Sequence, residues 1–402
     1  MGNLQNVRAG PTPDLKYLLG FIIAIGPVSV DMYLPAAAVI ERELGKSSPQ
    51  LALAAYFAGF AAGQLTQGLV SDRLGRRAPL AFGLSLYIVA SICCALAQSS
   101  VSLCVFRAIA AFGAAASVVV PRAMVRDVCD GREAAELMSD IMQVMSVAPV
   151  VAPLLGSSVL LVAGWRAIFL VAALYGVVSL ILMIWFMQET LPRAKRLSIG
   201  FTPTLRLFGE ILRERRFLSN ALIGTFGMGA LFAFLAGSPI VFLNQYAYTP
   251  LAYGLTLATF GVATIGFFRL NSALVSRLGA PRMIEAGVLV WLVASGYLAI
   301  SMRSAPASSA WVLGVLMVFL LSYTCIPSNT QVEALSNHSS HAASATALMS
   351  TMQYSGGAIA GALVGELADG TGKSMAWVLF GCALGAVAAM CFRPRRAAWK
   401  NQ

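Results

Sequence analysis

Two charged side chains stand where charge is expensive. Asp31 lies in Gly26-Pro27-Val28-Ser29-Val30-Asp31-Met32-Tyr33-Leu34-Pro35, and Arg107 lies in Leu103-Cys104-Val105-Phe106-Arg107-Ala108. An ionisable group deep in an apolar segment faces a protein interior or a water-filled cavity, because hydrocarbon does not solvate it. For a carboxyl so placed, desolvation opposes the charged form and a neighbouring cation favours it. Such opposed influences poise a group to take up and release a proton near neutral pH. The alternative is a static ion pair between helices. Pro27 and Pro35 flank Asp31, so a bend is expected there. Arg107 is the candidate counter-charge. On ideal helices Asp31 lies about 14 Å, and Arg107 about 9 Å, below the outer end of its own helix. A long Arg side chain can bridge those depths, directly or through water.

The elements that position these groups follow from composition. Of 402 residues, 58% are apolar and only 11% charged. A soluble chain carries about a quarter charged residues and cannot hide this much apolar surface in one or two ordinary cores. The chain is therefore read as largely embedded in a lipid bilayer. The net charge of +11 does not indicate nucleic acid, because Lys and Arg occur in short clusters between apolar runs rather than on one folded face. The seven cysteines show no Cys-x-x-Cys spacing, and His338 and His341 are the only histidines. No metal centre, structural disulfide or cofactor is expected. A membrane-embedded enzyme would need intramembrane nucleophiles or metal ligands that this sequence lacks.

Twelve apolar runs are long enough to cross a bilayer as helices: 16–40, 50–70, 78–98, 101–122, 137–161, 166–188, 217–243, 251–275, 281–301, 308–330, 342–367 and 374–393. Helices are required because the backbone must satisfy its own hydrogen bonds in lipid, and the runs lack the alternation of a barrel. With the N-terminus inside, Arg42, Lys46, Arg166, Arg303 and Lys373 fall outside, Arg107 falls within a span, and the other 22 of 28 basic residues fall inside. That asymmetry puts both termini in the cytoplasm. A cleaved signal peptide ending near Ala36-Ala37-Ala38 is disfavoured by Asp31 within the run.

The longest polar stretch divides the spans six and six. The expected organisation is an N-terminal tail 1–15, a six-helix bundle 16–189, a cytoplasmic linker 190–216, a second six-helix bundle 217–393 and a tail 394–402. Within the linker, Leu205, Leu207, Phe208, Ile211 and Leu212 fall at helical spacing among arginines, which reads as an amphipathic helix on the membrane surface. The halves echo each other. Leu69-Val70-Ser71-Asp72-Arg73-Leu74-Gly75-Arg76-Arg77 follows the second span, and Leu274-Val275-Ser276-Arg277-Leu278-Gly279-Ala280-Pro281-Arg282 follows the eighth, without the Asp. Parallel duplication places them so. Gly370-Thr371-Gly372-Lys373-Ser374 looks like a phosphate loop but has Leu367 where that motif needs Gly, and reads as a turn.

The segment Gly68-Leu69-Val70-Ser71-Asp72-Arg73-Leu74-Gly75-Arg76-Arg77-Ala78-Pro79-Leu80 resembles the signature loop of the major facilitator superfamily. The resemblance implies a two-bundle transporter whose loop latches the outward-facing state, with Gly68, Asp72, Arg73, Gly75, Arg76 and Arg77 as gating residues. Leu103-x-x-x-Arg107 resembles the superfamily's fourth-span motif, associated with proton coupling, although Ala110-Ala111 departs from it. Ala148, Ala152, Pro153 and Gly156 resemble its antiporter motif with several Gly replaced by Ala. Together with the first-span motif around Asp31, Gly164-Trp165-Arg166 with Phe169, and Glu189-Thr190-Leu191-Pro192, these look like the Bcr/CflA branch of bacterial drug:proton antiporters. The implied protein is a multi-pass, monomeric transporter of the bacterial inner membrane that exports small apolar drugs in exchange for protons. Its rivals are a narrow-substrate exporter, for a phenicol or a metabolite, and a channel. Tyr56, Met142, Gln143, Met145, Phe226, Phe232, Phe234, Tyr323 and Gln353 form the pool of candidate cavity-lining residues, since Met and aromatic side chains suit varied apolar cargo.

Overall fold

The computed structural model describes residues 13–46, 48–129, 131–196, 201–304, 308–338 and 342–393. The tail 394–402, His341 and most of the expected tail 1–15 lie outside the described residues. The first crossing is broken into α1 (Pro13–Ile23), α2 (Ile25–Asp31) and α3 (Ala37–Leu44). The breaks follow from the two prolines. Pro27 cannot donate to the carbonyl of Ile23, nor Pro35 to that of Asp31, so the ladder fails at Ala24 and again after Asp31. α4 (Ser48–Leu74), α5 (Arg77–Ala95) and α6 (Ser100–Val128) cross as single helices. The fifth crossing is α7 (Gly131–Ser146) continued by the start of α8 (Ala148–Phe186). α8 turns back at Gly164, whose φ of +78° only glycine adopts readily, and its remainder is the sixth crossing.

After the linker, which holds α9 (Phe201–Arg213), come α10 (Arg215–Pro239), α11 (Pro250–Leu278) and α12 (Ala280–Ser304). The tenth crossing is α13 (Ser309–Tyr323) with α14 (Pro327–Leu335), and α15 (Ala342–Glu366) and α16 (Lys373–Cys391) complete twelve in two six-helix bundles. Among the described residues nine helical stretches are long and apolar enough to cross a membrane, one of which, Glu136–Phe186, holds the two crossings hinged at Gly164. α4 and α15 are the remaining two. They pack against each other at the seam between the bundles and so need less apolar surface. Large apolar side chains such as Val101, Val162, Trp185 and Val293 stay exposed on the outer faces, as a lipid solvent requires.

The basic loops gather at one end of the molecule, here the basic end. Bundle-to-bundle contacts concentrate toward the other, the far end. A Cβ on Gly365 would meet Gln50 and one on Gly254 would meet Ser157 and Pro153. Asn244 donates to Glu41 at 3.0 Å, and Phe57 stacks on Phe232 with ring centroids 3.4 Å apart. Toward the basic end the contacts thin. Pro149 and Val150 touch Gly261 of α11, but the same helical stripe continued along α7 leaves Gln143 and Ser139 exposed. The seam is closed at the far end; toward the basic end α7 leaves α11, while Leu65 of α4 still packs with Leu348, Met349 and Met352 of α15.

The linker helix corrects an expectation. Phe208 and Ile211 of α9 are buried with Phe217, Ala334, Leu348 and Met349. The apolar face therefore docks on the end of the second bundle instead of lying in the membrane surface.

Candidate functional site

Asp31 is the last residue of α2, at the proline-induced break. It is half-buried and lies within electrostatic reach of Tyr253 on α11, in the opposite bundle. Among the described residues it has no hydrogen bond and no ion pair. The fifth crossing presses on the same turn of chain. A Cβ at Gly156 would lie 2.2 Å from the carbonyl oxygen of Met32, so only glycine permits this approach beside Asp31. Ala148, Ala152 and Pro153 are buried on the same helix. Ser157 Oγ donates to the carbonyl of Pro250 on α11 at 2.9 Å. The four motif residues thus lie where the fifth crossing touches both the first and the eighth.

Arg107 departs from expectation. It is 3% exposed and does not pair with Asp31. Its guanidinium turns into the first bundle, where one nitrogen donates to the carbonyl of Ser29 at 3.2 Å. The rings of Tyr56, Tyr33 and Phe169 enclose it at 4.3, 4.7 and 5.8 Å. Such cation–π contacts contribute about 0.5–2 kcal/mol each and compete with a carboxylate partner. Nε and Nη2 have no hydrogen-bond partner. Beside them a cavity of about 10 Å³, lined by Ser29, Tyr87, Ser91 and Cys94 among others, has room for about one water. Ser29 and Tyr87 share a 2.5 Å hydrogen bond next to it.

The loop after the second crossing is built around Arg76. Its side chain donates to Asp127 at 2.7 and 3.2 Å, to Asp72 at 2.5 Å and to Ser71 at 3.0 Å. Asp72 therefore pairs within its own bundle. Glu189 caps α5: its carboxylate accepts from the backbone N–H of Arg76 at 2.8 Å, Leu191 at 3.1 Å and Arg77 at 3.3 Å. Burial opposes the charge on Glu189, but these donors and Arg196 outweigh it and hold the carboxyl below its ordinary range. Gly75 has φ +94°, and a Cβ there would lie 2.5 Å from Glu189 Oε2. Arg77 donates to the carbonyl of Ile184 at 3.0 Å. Gly68 faces Val119, and Arg73 is exposed.

The cavity pool separates. Tyr56 belongs to the Arg107 enclosure. Phe226 packs on Gly385, and Gln353 on Gly224. Phe234 sits between Phe260 and Phe319 in the second bundle's core, and Tyr323 bonds Met228. Phe232 stands at the seam against Phe57, whereas on α7 Met142 and Met145 are partly buried against the core and Gln143 is exposed. The sequence reading missed Phe57, Phe60 and Tyr354. Tyr354 lies 4.5 Å from Phe60 and 5.8 Å from Phe232 between ring centroids, and closes the seam from below the Phe57–Phe232 stack. Aromatic spacing in adjacent helices is the only sequence signal that pointed there.

A family profile described as Major Facilitator Superfamily matches residues 19–361. The chain belongs to that superfamily, and it is a multi-pass membrane transporter. It is 31% identical over 385 residues to an uncharacterized MFS-type transporter, YdgK, of Bacillus subtilis, covering 94% of both chains. It is 27% identical to a bicyclomycin resistance protein homolog of Haemophilus influenzae, covering 94% of this chain and 95% of that one. Identity to the multidrug resistance protein MdtL of Escherichia coli is 30% over 300 residues, 74% of each chain.

Proposed function

We propose that this protein exports small, largely apolar drugs from the cytoplasm in exchange for protons, as a monomer in a bacterial inner membrane. The excess of Lys and Arg makes the basic end and both termini cytoplasmic. The observation that carries the reading is Asp31, a carboxyl inside the membrane, at the seam between the bundles, with no partner among the described residues. A group so placed meets water from whichever side is open, and rocking of the two halves about the midplane alternates that side. Arriving drug favours release of the Asp31 proton inward. Opening to the far side reloads the proton and discharges the drug. Arg107 acts from within the first bundle, polarising Ser29 and Tyr87 beside α2, and the Arg76 cluster stiffens the cytoplasmic end as the gate moves.

The name of MdtL supports a broad substrate range. The bicyclomycin resistance homolog supports a narrower second reading, in which one antibiotic is the cargo. Resistance profiling in a drug-hypersensitive host separates the two. The antiport itself is tested in liposomes: a pH gradient should drive uphill drug movement in the native protein, and undiminished movement in Asp31→Asn would reject the scheme.

A further inference from the structure

α6 carries a second arginine toward the basic end. Arg122 stands six residues from the end of α6, about 9 Å into the helix from the basic end. It is half-buried. Among the described residues it has no hydrogen bond and no carboxylate partner. The groups within its electrostatic reach are Tyr354, on α15 of the opposite bundle, and Arg126, one turn further on. Neither neutralises it. Other buried arginines are occupied: Arg76 by Asp72 and Asp127, Arg107 by a carbonyl and three rings.

Position strengthens the case. Cα–Cβ bonds tilt toward the helix N-terminus, and α6 runs from the far end to the basic end. Val118, one turn before Arg122 on the same face of α6, and Phe60 lie 4.0 and 3.8 Å from a Cβ on Gly26, so Arg122 stands one turn to the basic side of Phe60 and of the Phe232 and Tyr354 rings packed on it. A guanidinium presents donors in a planar fork that fits a carboxylate or phosphate. Here that fork borders a mostly apolar seam and lacks an acceptor.

We propose that Arg122 and the ring cluster above it form a cargo subsite for an apolar, ring-bearing body that carries an anionic group, a carboxylate foremost. The proposal deepens the export reading and rests on it. The body packs beneath Phe60, Phe232 and Tyr354, and the carboxylate takes the free donors of Arg122. Arg107 cannot serve, because its rings enclose it. A lipophilic cation is repelled by the same charge.

The test uses the full chain in lipid nanodiscs and three probes that share one ring system: 1-naphthoate, 1-naphthamide and 1-naphthyltrimethylammonium. Calorimetry at equilibrium reads binding without any gradient. Naphthoate should bind at least tenfold more tightly than either other probe. Arg122→Gln should remove that advantage while leaving naphthamide binding within twofold, and Arg122→Lys, which keeps the charge but loses the fork, should fall between. Thermal melting checks that each variant is folded. Absent naphthoate binding, equal binding of the three probes, a preference for the trimethylammonium, or parallel loss of naphthoate and naphthamide in Arg122→Gln overturns the subsite. If the predicted binding pattern holds in a protein that cannot move cargo against a gradient, the antiport reading fails and the subsite stands.

Discussion

The two bundles repeat one plan but have spent their polar residues differently. The first buries charge: Asp31 at the seam, Arg107 among rings, and Arg76 between Asp72 and Asp127 at the basic end. In the second, most buried polar positions are neutral pairs, such as Asn329 donating to Asn271 at 3.2 Å and Ser238 with Tyr253 at 2.7 Å, and its buried carboxylate, Glu333, is held in an ion pair. Its copy of the basic-end loop has lost the Asp, and its ion pairs have moved to α10 and α14, where Arg216 meets Glu333 at 3.1 Å and Glu214 meets His338. On the proposed scheme the charge-changing group thus lies in one bundle, and the other supplies the opposing wall and its share of the aromatic closure. A duplicated fold can divide labour because each bundle satisfies its own backbone and needs only small-residue packing from its twin.

Four tests, built on seven substitutions, break or sharpen that comparison. The largest effect belongs to Asp31→Asn, which should lower pH-gradient-driven flux more than tenfold, whereas Asn271→Ala in the second bundle should leave coupling intact and alter only thermal stability. Next comes the basic end. Arg76→Gln removes a buried guanidinium bonded to Asp127, Asp72 and Ser71 and should cost about 1.5–3 kcal/mol, read as a lower melting temperature. The matched position in the second loop is Ala280; Arg277, the match of Arg73, is exposed, and Arg277→Gln should stay within about 0.5 kcal/mol.

The matched glycines give a finer contrast. Gly75 and Gly279 both have positive φ, at +94° and +82°. A Cβ at Gly279 meets nothing closer than 3.8 Å, whereas at Gly75 it strikes Glu189. Gly279→Ala should cost only the positive-φ strain, about 1–3 kcal/mol, and Gly75→Ala measurably more. The smallest effect concerns pH. Because the folded protein holds the Glu189 carboxyl below its ordinary range, its stabilising share is fully present above the unfolded value of about 4.3 and fades as pH falls through the lower folded value. The melting difference between native protein and Glu189→Gln should therefore persist down to about pH 4 and shrink below it.

Much of this was legible in the residues. Pro27 and Pro35 announced the breaks that leave Asp31 at a helix end, and the repeat after the second and eighth spans announced the duplication. Gly75 and Arg76 were named in advance, although Asp127, the stronger partner of Arg76, was not. The wall residues were the least legible. Phe232 faces the other bundle while Phe226 and Phe234, on the same helix, pack within their own. Hydropathy cannot separate these faces, because lipid, bundle core and seam are all apolar. Tyr354 and Gln353 are adjacent in sequence, yet only Tyr354 reaches the seam. A rotation of about 100° per residue decides between them.

The sequence by itself determined that this chain dissolves in lipid, crosses it twelve times, repeats once and carries a carboxyl at membrane depth. Those properties depend on composition and spacing, which survive any arrangement of the helices. Only the tertiary structure decided that Arg107 turns from Asp31 into a cage of rings, that Asp72 stays within its own bundle, and that Arg122 faces the seam. Each of these depends on which way a side chain points once two helices touch, and the strength of a charge contact inside a membrane depends on that direction and on the water it admits.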